Sequence, residues 1–493
     1  MIETLCCNAD ISIIKNLSNK NYKTHFHSNN MKLKKKINIF AGICTLLLFS
    51  GCQTTSQKSR LQMFNAHYQS GQYGDAVDLQ LQAKGAKVND PAKLLEVLQA
   101  GAALRVDQRL NESNELFDEA EAIIKVHNET LQASKAVSGV GSTLVNDSVL
   151  KYSGYEFDGV MVNTYKALNL WMDGNADARV EFNRAVERQD RAKARFAKLI
   201  ANNKAELEAQ QTKQTKKYGQ SGPNIQKNIE NQETQRLVYS NLNEFEAYAD
   251  FTNPFTLYAA GLYFMSQGDL NKAENLLKEA HGIDQSVGVI KNDFDDIVAR
   301  NKDAEKYVWV FLENGLGPEL EQFRVDLPLF LLTNNVKYTG IALPRIKLRD
   351  QAYPNLTVQS GDVSTKTELV ASMDRVIQTE FKKRYTMILS RAIASTLIKT
   401  YAQYLAQQEL GDWGGIAVAI YQAATNSADT RMWTALPKNF QVARVPAPKD
   451  GQLTLAFPNG SNEIVQLKSS QSSLVYVKAV TSTVPPLINV IEL

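Results

Sequence analysis

The stretch FTLYAAGLYFMSQGDLNKAENLLKEAHGID, Phe255–Asp284, decides how this chain is read. Apolar residues recur at helical spacing on both sides of Gly268, which ends the first run before Leu270 opens the second. Gly261 in the first run, and Ala273 and Ala280 in the second, are small where two packed helices must approach closely. The expected local structure is an antiparallel helical hairpin.

The same layout occurs three more times upstream. Phe64–Ala83 carries Gly71, Tyr73, Ala76 and Ala83, and Leu94–Ile123 carries Gly101, Leu104, Phe117 and Ala120. Val162–Gln189 carries Gly174, Ala178, Phe182 and Ala185 across a turn one residue shorter. These offsets resemble the tetratricopeptide repeat, in which a Gly ends helix A and two small residues seven apart let helix B approach it. A hairpin with one apolar face needs a neighbour to cover it, so four units predict a stacked array. The resemblance implies a concave inner surface; Tyr68, Leu104, Trp171 and Tyr263 on the inner helices read either as its contact residues or as packing residues. Between the third and fourth units, residues 186–248 are rich in Lys, Arg, Glu, Gln and Ala, and Tyr218–Pro223 breaks them. They read as two long solvated helices forming an antiparallel arm.

Near Tyr307 the character changes. Tyr307–Phe311 is β-branched and aromatic, and Glu313–Pro318 is a turn signature. Further strands are expected at Phe323–Val325, Leu329–Leu332, Val336–Ala342 (closed by Pro344) and Leu356–Val358. Helices follow from Thr365, over Met387–Leu405, and over Ile416–Ala424. The last part has strand-length runs at Phe440–Val445, Leu453–Phe457, Glu463–Leu467 and Ser473–Val477, separated by hairpin-type turns. The fold class expected is therefore mainly α: a tetratricopeptide-like repeat region, then a smaller α+β domain whose antiparallel sheet has helices on one face.

Working back to the start, MKLKKKINIFAGICTLLLFSGC (Met31–Cys52) has a basic head, a short apolar run and a small-residue close. That is the layout of a secretory signal, too short in its apolar part for a comfortable membrane span. Its ending, Leu47–Cys52, resembles the lipobox of bacterial lipoproteins, although Phe49 replaces the usual Leu. The resemblance implies cleavage before Cys52 and palmitate-type acylation of that residue. Of four cysteines, Cys6, Cys7, Cys44 and Cys52, none follows position 52, so a mature chain has no internal disulfide, Cys-ligated metal or thiol nucleophile. The expected division is 1–30 an upstream extension without a fold and 31–51 the signal peptide. A lipidated tether takes 52–60, the repeat region 61–300, and the α+β domain 301–493. Gln53 in place of Asp favours the periplasmic face of the outer membrane.

Four segments, NTYKALNLWMDGNADARVEFNRAVERQ, VFLENGLGP, YTGIALPRI and ADTRMWTALP, together look like a family of Gram-negative periplasmic lipoproteins with tetratricopeptide-like repeats. The resemblance spans about Gly154 to Val477 and carries over no catalytic residue and no ligand.

The chemistry is sparse. A formal net charge of +3 over 493 residues gives no electrostatic footprint for nucleic acid. His67, His127 and His281 sit in separate helical units, and no zinc, P-loop or nucleophile–base motif is present. No metal or cofactor is expected. Glu305 and Glu313 read as a solvated face. Asp412, Asp429, Arg431 and Trp433 have two readings: a charged, aromatic-lined pocket, or a capped turn with Trp433 wedged between helix and sheet. Two functions follow. One is a non-enzymatic scaffold, tethered to the membrane by lipid and binding another envelope protein. The other is an envelope enzyme or glycan-binding protein using that pocket.

Overall fold

A computed structural model of the chain describes residues 57–133, 151–219, 222–239, 242, 247–299, 305–332, 335–410, 427–469 and 471–493. The expected extension, the signal peptide, Cys52 and Asp412 lie outside the described residues, as does the helix expected over Ile416–Ala424. The described chain is mainly helical up to Ala299 and carries antiparallel and mixed sheets from Tyr307 onward. Among the described residues no helix is long and apolar enough to cross a membrane.

The helices come in pairs. Residues 57–69 (α1) precede Tyr73–Lys84 (α2), and Leu94–Val106 (α3) precedes Leu110–Ala133 (α4). Glu156–Met172 (α5) precedes the 41-residue Ala178–Tyr218 (α6). The short helices Ile225–Ile229 (α7) and Gln232–Tyr239 (α8) follow. Pro254–Ser266 (α9) and Leu270–Ile283 (α10) form the hairpin read first, with Gly268 in the left-handed region at φ 76° where the chain reverses. Pro254 stands at the first helical position, and Asn253 caps the helix by accepting from the Phe255 amide at 3.1 Å. Gly288–Ala299 (α11) closes the helical part.

The inner helix of each later pair is buried nearly all round: every residue of α3, and all but the last two of α9. What covers them is the chain's own sheet. Tyr307–Asn314 (β1) is its middle strand. Glu319–Leu332 (β2) and Asn335–Lys347 (β3) form a separate long hairpin. Thr357–Ser360 (β4), Val363–Lys366 (β5) and Glu368–Ser372 (β6) lead into the helix Met373–Leu410 (α12). Asn439–Pro446 (β7), Gln452–Ala456 (β8), Asn462–Gln466 (β9), Ser473–Ala479 (β10) and Leu487–Glu492 (β11) complete the order.

One five-stranded sheet runs β11-β10-β1-β7-β6, and a four-stranded sheet runs β5-β4-β8-β9. The pairing of β1 with β10 is parallel; the other pairs are antiparallel. Alternation along β1 explains the layering. Trp309 and Phe311 face the core shared with the helices, whereas Val308, Val310 and Leu312 face a second core with Leu356, Val358, Leu453 and Leu455 of the smaller sheet. Helices, mixed sheet and antiparallel sheet thus stack in three layers. Phe255 of α9 lies flat on Phe440 of β7, with ring centroids 3.7 Å apart, and Thr481 donates to the Gln69 carbonyl at 3.3 Å.

Several expectations change. The single antiparallel sheet with helices on one face is instead two sheets and a hairpin, because β1 is apolar on both faces and needs two covers. The two-helix arm is one long helix, α6, followed by short helices that Asn224 and Asn231 cap. It is not solvated throughout: Ala192 and Phe196 are buried, and Tyr218 meets Tyr401 of α12 at 5.1 Å. The passage from Thr365 is strand up to Ser372, since β6 pairs with β7. From Met373 to Leu410 a single helix runs unbroken, there being no Gly or Pro to stop it. The strand expected to close at Pro344 runs on to Lys347, a two-stranded hairpin having outer edges where a missing N–H is tolerated. Finally Tyr68, Leu104, Trp171 and Tyr263, read as either contact or packing residues, are all at most 4% exposed and so are packing residues.

A Cβ built on Gly101 would stand 2.7 Å from the Phe117 ring, which is itself enclosed by Tyr165 and Trp433. Gly101→Ala is expected to destabilise the fold by about 1–3 kcal/mol from overpacking, despite alanine's better helix propensity. Urea unfolding at pH 7 measures it; an unchanged midpoint would contradict this contact.

Candidate functional site

On the helix-facing side of β1, Trp309 and Phe311 are followed two residues later by Glu313, 1% exposed. Its carboxylate accepts from Arg105 of α3 at 2.8 Å, from Tyr165 of α5 at 2.6 Å, and from Tyr476 and Lys478 of β10 at short range. The Arg105 guanidinium lies over the rings of Tyr165 and Tyr476, at 4.5 and 4.8 Å. Burial alone would raise the Glu313 carboxyl, but Lys478 and Arg105 outweigh it and hold it at about 2. Lys478, whose one anion is already shared with Arg105, is drawn below its usual value by burial. The cluster holds helices to sheet. None of its members is more than 4% exposed.

An accessible concavity lies elsewhere, where α4, the start of α5, α6 and α12 meet. A cavity of about 430 Å³ is lined by Arg188, Arg195, Arg384, Arg391, His127 and Tyr155, among others. Each of three arginines is held from behind. Arg188 bonds Asn163 at 2.5 Å and Glu121 at 2.9 Å; Arg195 bonds Glu156 at 2.6 Å; Arg384 bonds Glu380 at 2.6 Å and lies 4.6 Å from the Tyr155 ring. Glu380 in turn accepts from the Glu156 and Phe157 amides at the N-terminus of α5, which suits a carboxylate. Burial raises the Glu380 carboxyl, against the pull of Arg384.

Beside it Asp158 is fully buried. One oxygen accepts from the Tyr152 hydroxyl at 2.7 Å and the Tyr155 amide at 2.9 Å, and the other has no partner among the described residues. Burial therefore pushes its carboxyl up to about 7, against both hydrogen bonds.

The residues singled out in the sequence separate. Arg431 forms an ion pair with Asp429 at 2.7 Å and lies 5.9 Å from the Tyr152 ring centroid. Trp433 is fully buried against Phe117 of α4 and Tyr165 of α5, 5.9 Å from each, so these contacts place it between helices and away from the lining of the arginine cavity. Glu313, read as part of a solvated face, is the most tightly held carboxylate of the core; the signal was its place on the same strand face as Trp309 and Phe311. Among the described residues no group of His, Cys, Asp and Glu is arranged to hold a metal.

Compared with known proteins, the chain matches no family model, and a search of curated proteins gave no match.

Two predictions concern pH. Glu313 has a folded value of about 2 against an ordinary 4.5, so its contribution is complete above 4.5 and is lost as pH falls toward 2. Glu313→Gln is expected to cost about 3–5 kcal/mol at pH 7, since it strands two buried cations; equal urea midpoints for variant and wild type would refute this. Asp158 has the opposite sign: its raised value adds stability below its ordinary 3.8 that disappears as pH rises to about 7. Asp158→Asn should therefore flatten the fall in melting temperature between pH 4 and 7, and an unaltered slope would show that Asp158 does not carry it.

Proposed function

We propose that the protein is a non-enzymatic, lipid-anchored scaffold of the cell envelope, held by acylated Cys52 at the periplasmic face of the outer membrane. The helical pairs support a tetratricopeptide-like reading. Gly101 lies under Phe117 and Gly261 under Leu277 at distances that admit no side chain, and Ala76, Ala120, Ala178, Ala185, Ala273 and Ala280 are all fully buried. The observation that carries the proposal is the seating of the sheet against the inner helices through Glu313 and the Phe255–Phe440 stack. An array whose inner face is filled by its own chain is a rigid body, and another envelope protein then meets the outer helices. The pocket reading gains no support from Trp433, which is enclosed, or from Asp429 and Arg431, which satisfy each other.

The test uses the full chain and crosslinking in intact envelopes. Charge reversal at Glu187 and Lys278, exposed on α6 and α10, should abolish the crosslinked partner, whereas Arg431→Ala should retain it. The reverse pattern would sink the scaffold reading. Cys52→Ser should release the protein from membranes and remove labelling by a palmitate analogue; persistent labelling would refute the anchor.

A further inference from the structure

The arginine-lined cavity has features that the scaffold reading does not use. Its wall carries four guanidinium groups against one carboxylate, Glu156. The carboxylates behind the wall are shared with other donors. Glu121 also meets Lys166 at 2.9 Å, and Lys166, with the hydrogen bond from Arg188, holds it at about 2 against the opposing effect of burial. Glu380 is engaged by two backbone amides. Negative charge is therefore in short supply at the wall. The side chains of Arg188, Arg195 and Arg384 are only 17–20% exposed, so they are fixed in place. In each the Nε and Nη2 groups are engaged, while Nη1 has no partner among the described residues. Gly159 leaves the space for one of them: a Cβ there would stand 3.1 Å from Arg188 Nη1.

Donors held rigidly, each with one end open toward shared space, are what oxyanion recognition requires, because the ordering cost is already met before the ligand arrives. The volume falls within the range of small-molecule sites. We propose that this cavity binds the phosphoryl or carboxyl oxyanion of a small ligand on Arg188, Arg195 and Arg384, with Gly159 setting the position of Arg188.

Calorimetric titration of the full chain in detergent, with inorganic phosphate in one arm and citrate in the other, tests it at low ionic strength. Saturable one-site binding of at least one anion is expected, and the arm that saturates identifies the oxyanion. Arg188→Gln and Arg384→Gln should each weaken it by about tenfold, the scale of one charge-assisted hydrogen bond. Because those changes also break ion pairs, Gly159→Ala serves as the fold-preserving variant. It favours the helix, meets only the Nη1 end of Arg188 and no backbone atom, and should shift that end enough to weaken binding without lowering the melting temperature. Arg191→Gln, on the same helix but 69% exposed, should bind as wild type. In the wild-type protein, bound anion should protect Arg188, Arg195 and Arg384 from phenylglyoxal. No saturation by either anion, equal affinity in Gly159→Ala, or no protection would each overturn the proposal.

Discussion

One carboxylate, Glu313, bonds directly to four residues that no local rule brings together: Arg105, Tyr165, Tyr476 and Lys478. A charge on a central strand is tolerated only where every neighbouring element supplies a donor, since an unpaired buried ion costs several kcal/mol. The helices α3 and α5 and the strands β1 and β10 must therefore arrive in one relative position, or the carboxylate is left unsatisfied. Apolar packing around it, from Phe255 on Phe440 to Trp433 between Phe117 and Tyr165, tolerates small slips. The charge cluster does not. Such clusters add little net stability over an apolar core, and what this one supplies is a single register between array and sheet.

Much of the secondary structure was legible because its signals are local. Gly268 between two apolar helical runs specified the α9–α10 hairpin, and β-branched runs bounded by Gly, Pro and Asn specified β1 and β7 to β10. The layering was not legible. Strand β1 reads as apolar from Tyr307 to Leu312, which says that both faces are covered but not by what. The inner helices kept two readings for the same reason: Tyr68, Leu104, Trp171 and Tyr263 are as apolar as a binding face would be, and composition does not distinguish an external partner from the chain's own sheet.

The cavity was hidden more deeply. Arg188 and Arg195 lie on a helix whose composition read as solvated, and Arg384 lies on one read only for its apolar period. Their convergence follows from the packing of α6 against α12, which no spacing in the chain encodes. Asp429 and Arg431 were the opposite case. Two residues apart in a turn, they found each other as the spacing allowed, and that satisfied pair is why they make a poor ligand site. Charges that pair locally are easy to read; Arg188 and Arg195 instead pair with Glu121 and Glu156 on other helices, and only Arg384 has its anion, Glu380, on its own helix.

The parallel pairing of β1 with β10 has a consequence for how the molecule comes into being. Synthesis delivers α3, α5 and α9 first, with their apolar faces turned toward a sheet that does not yet exist. Strand β1 then appears with both neighbours missing, since β7 and β10 are made later, and the Thr481–Gln69 contact joins positions 412 residues apart. Contacts of that span close late and slowly. During that interval a growing chain exposes several helices' worth of greasy surface and an unpaired strand edge, both invitations to aggregation and to proteases. The last strands, β10 and β11, are therefore what close the apolar faces that the helices present from the start.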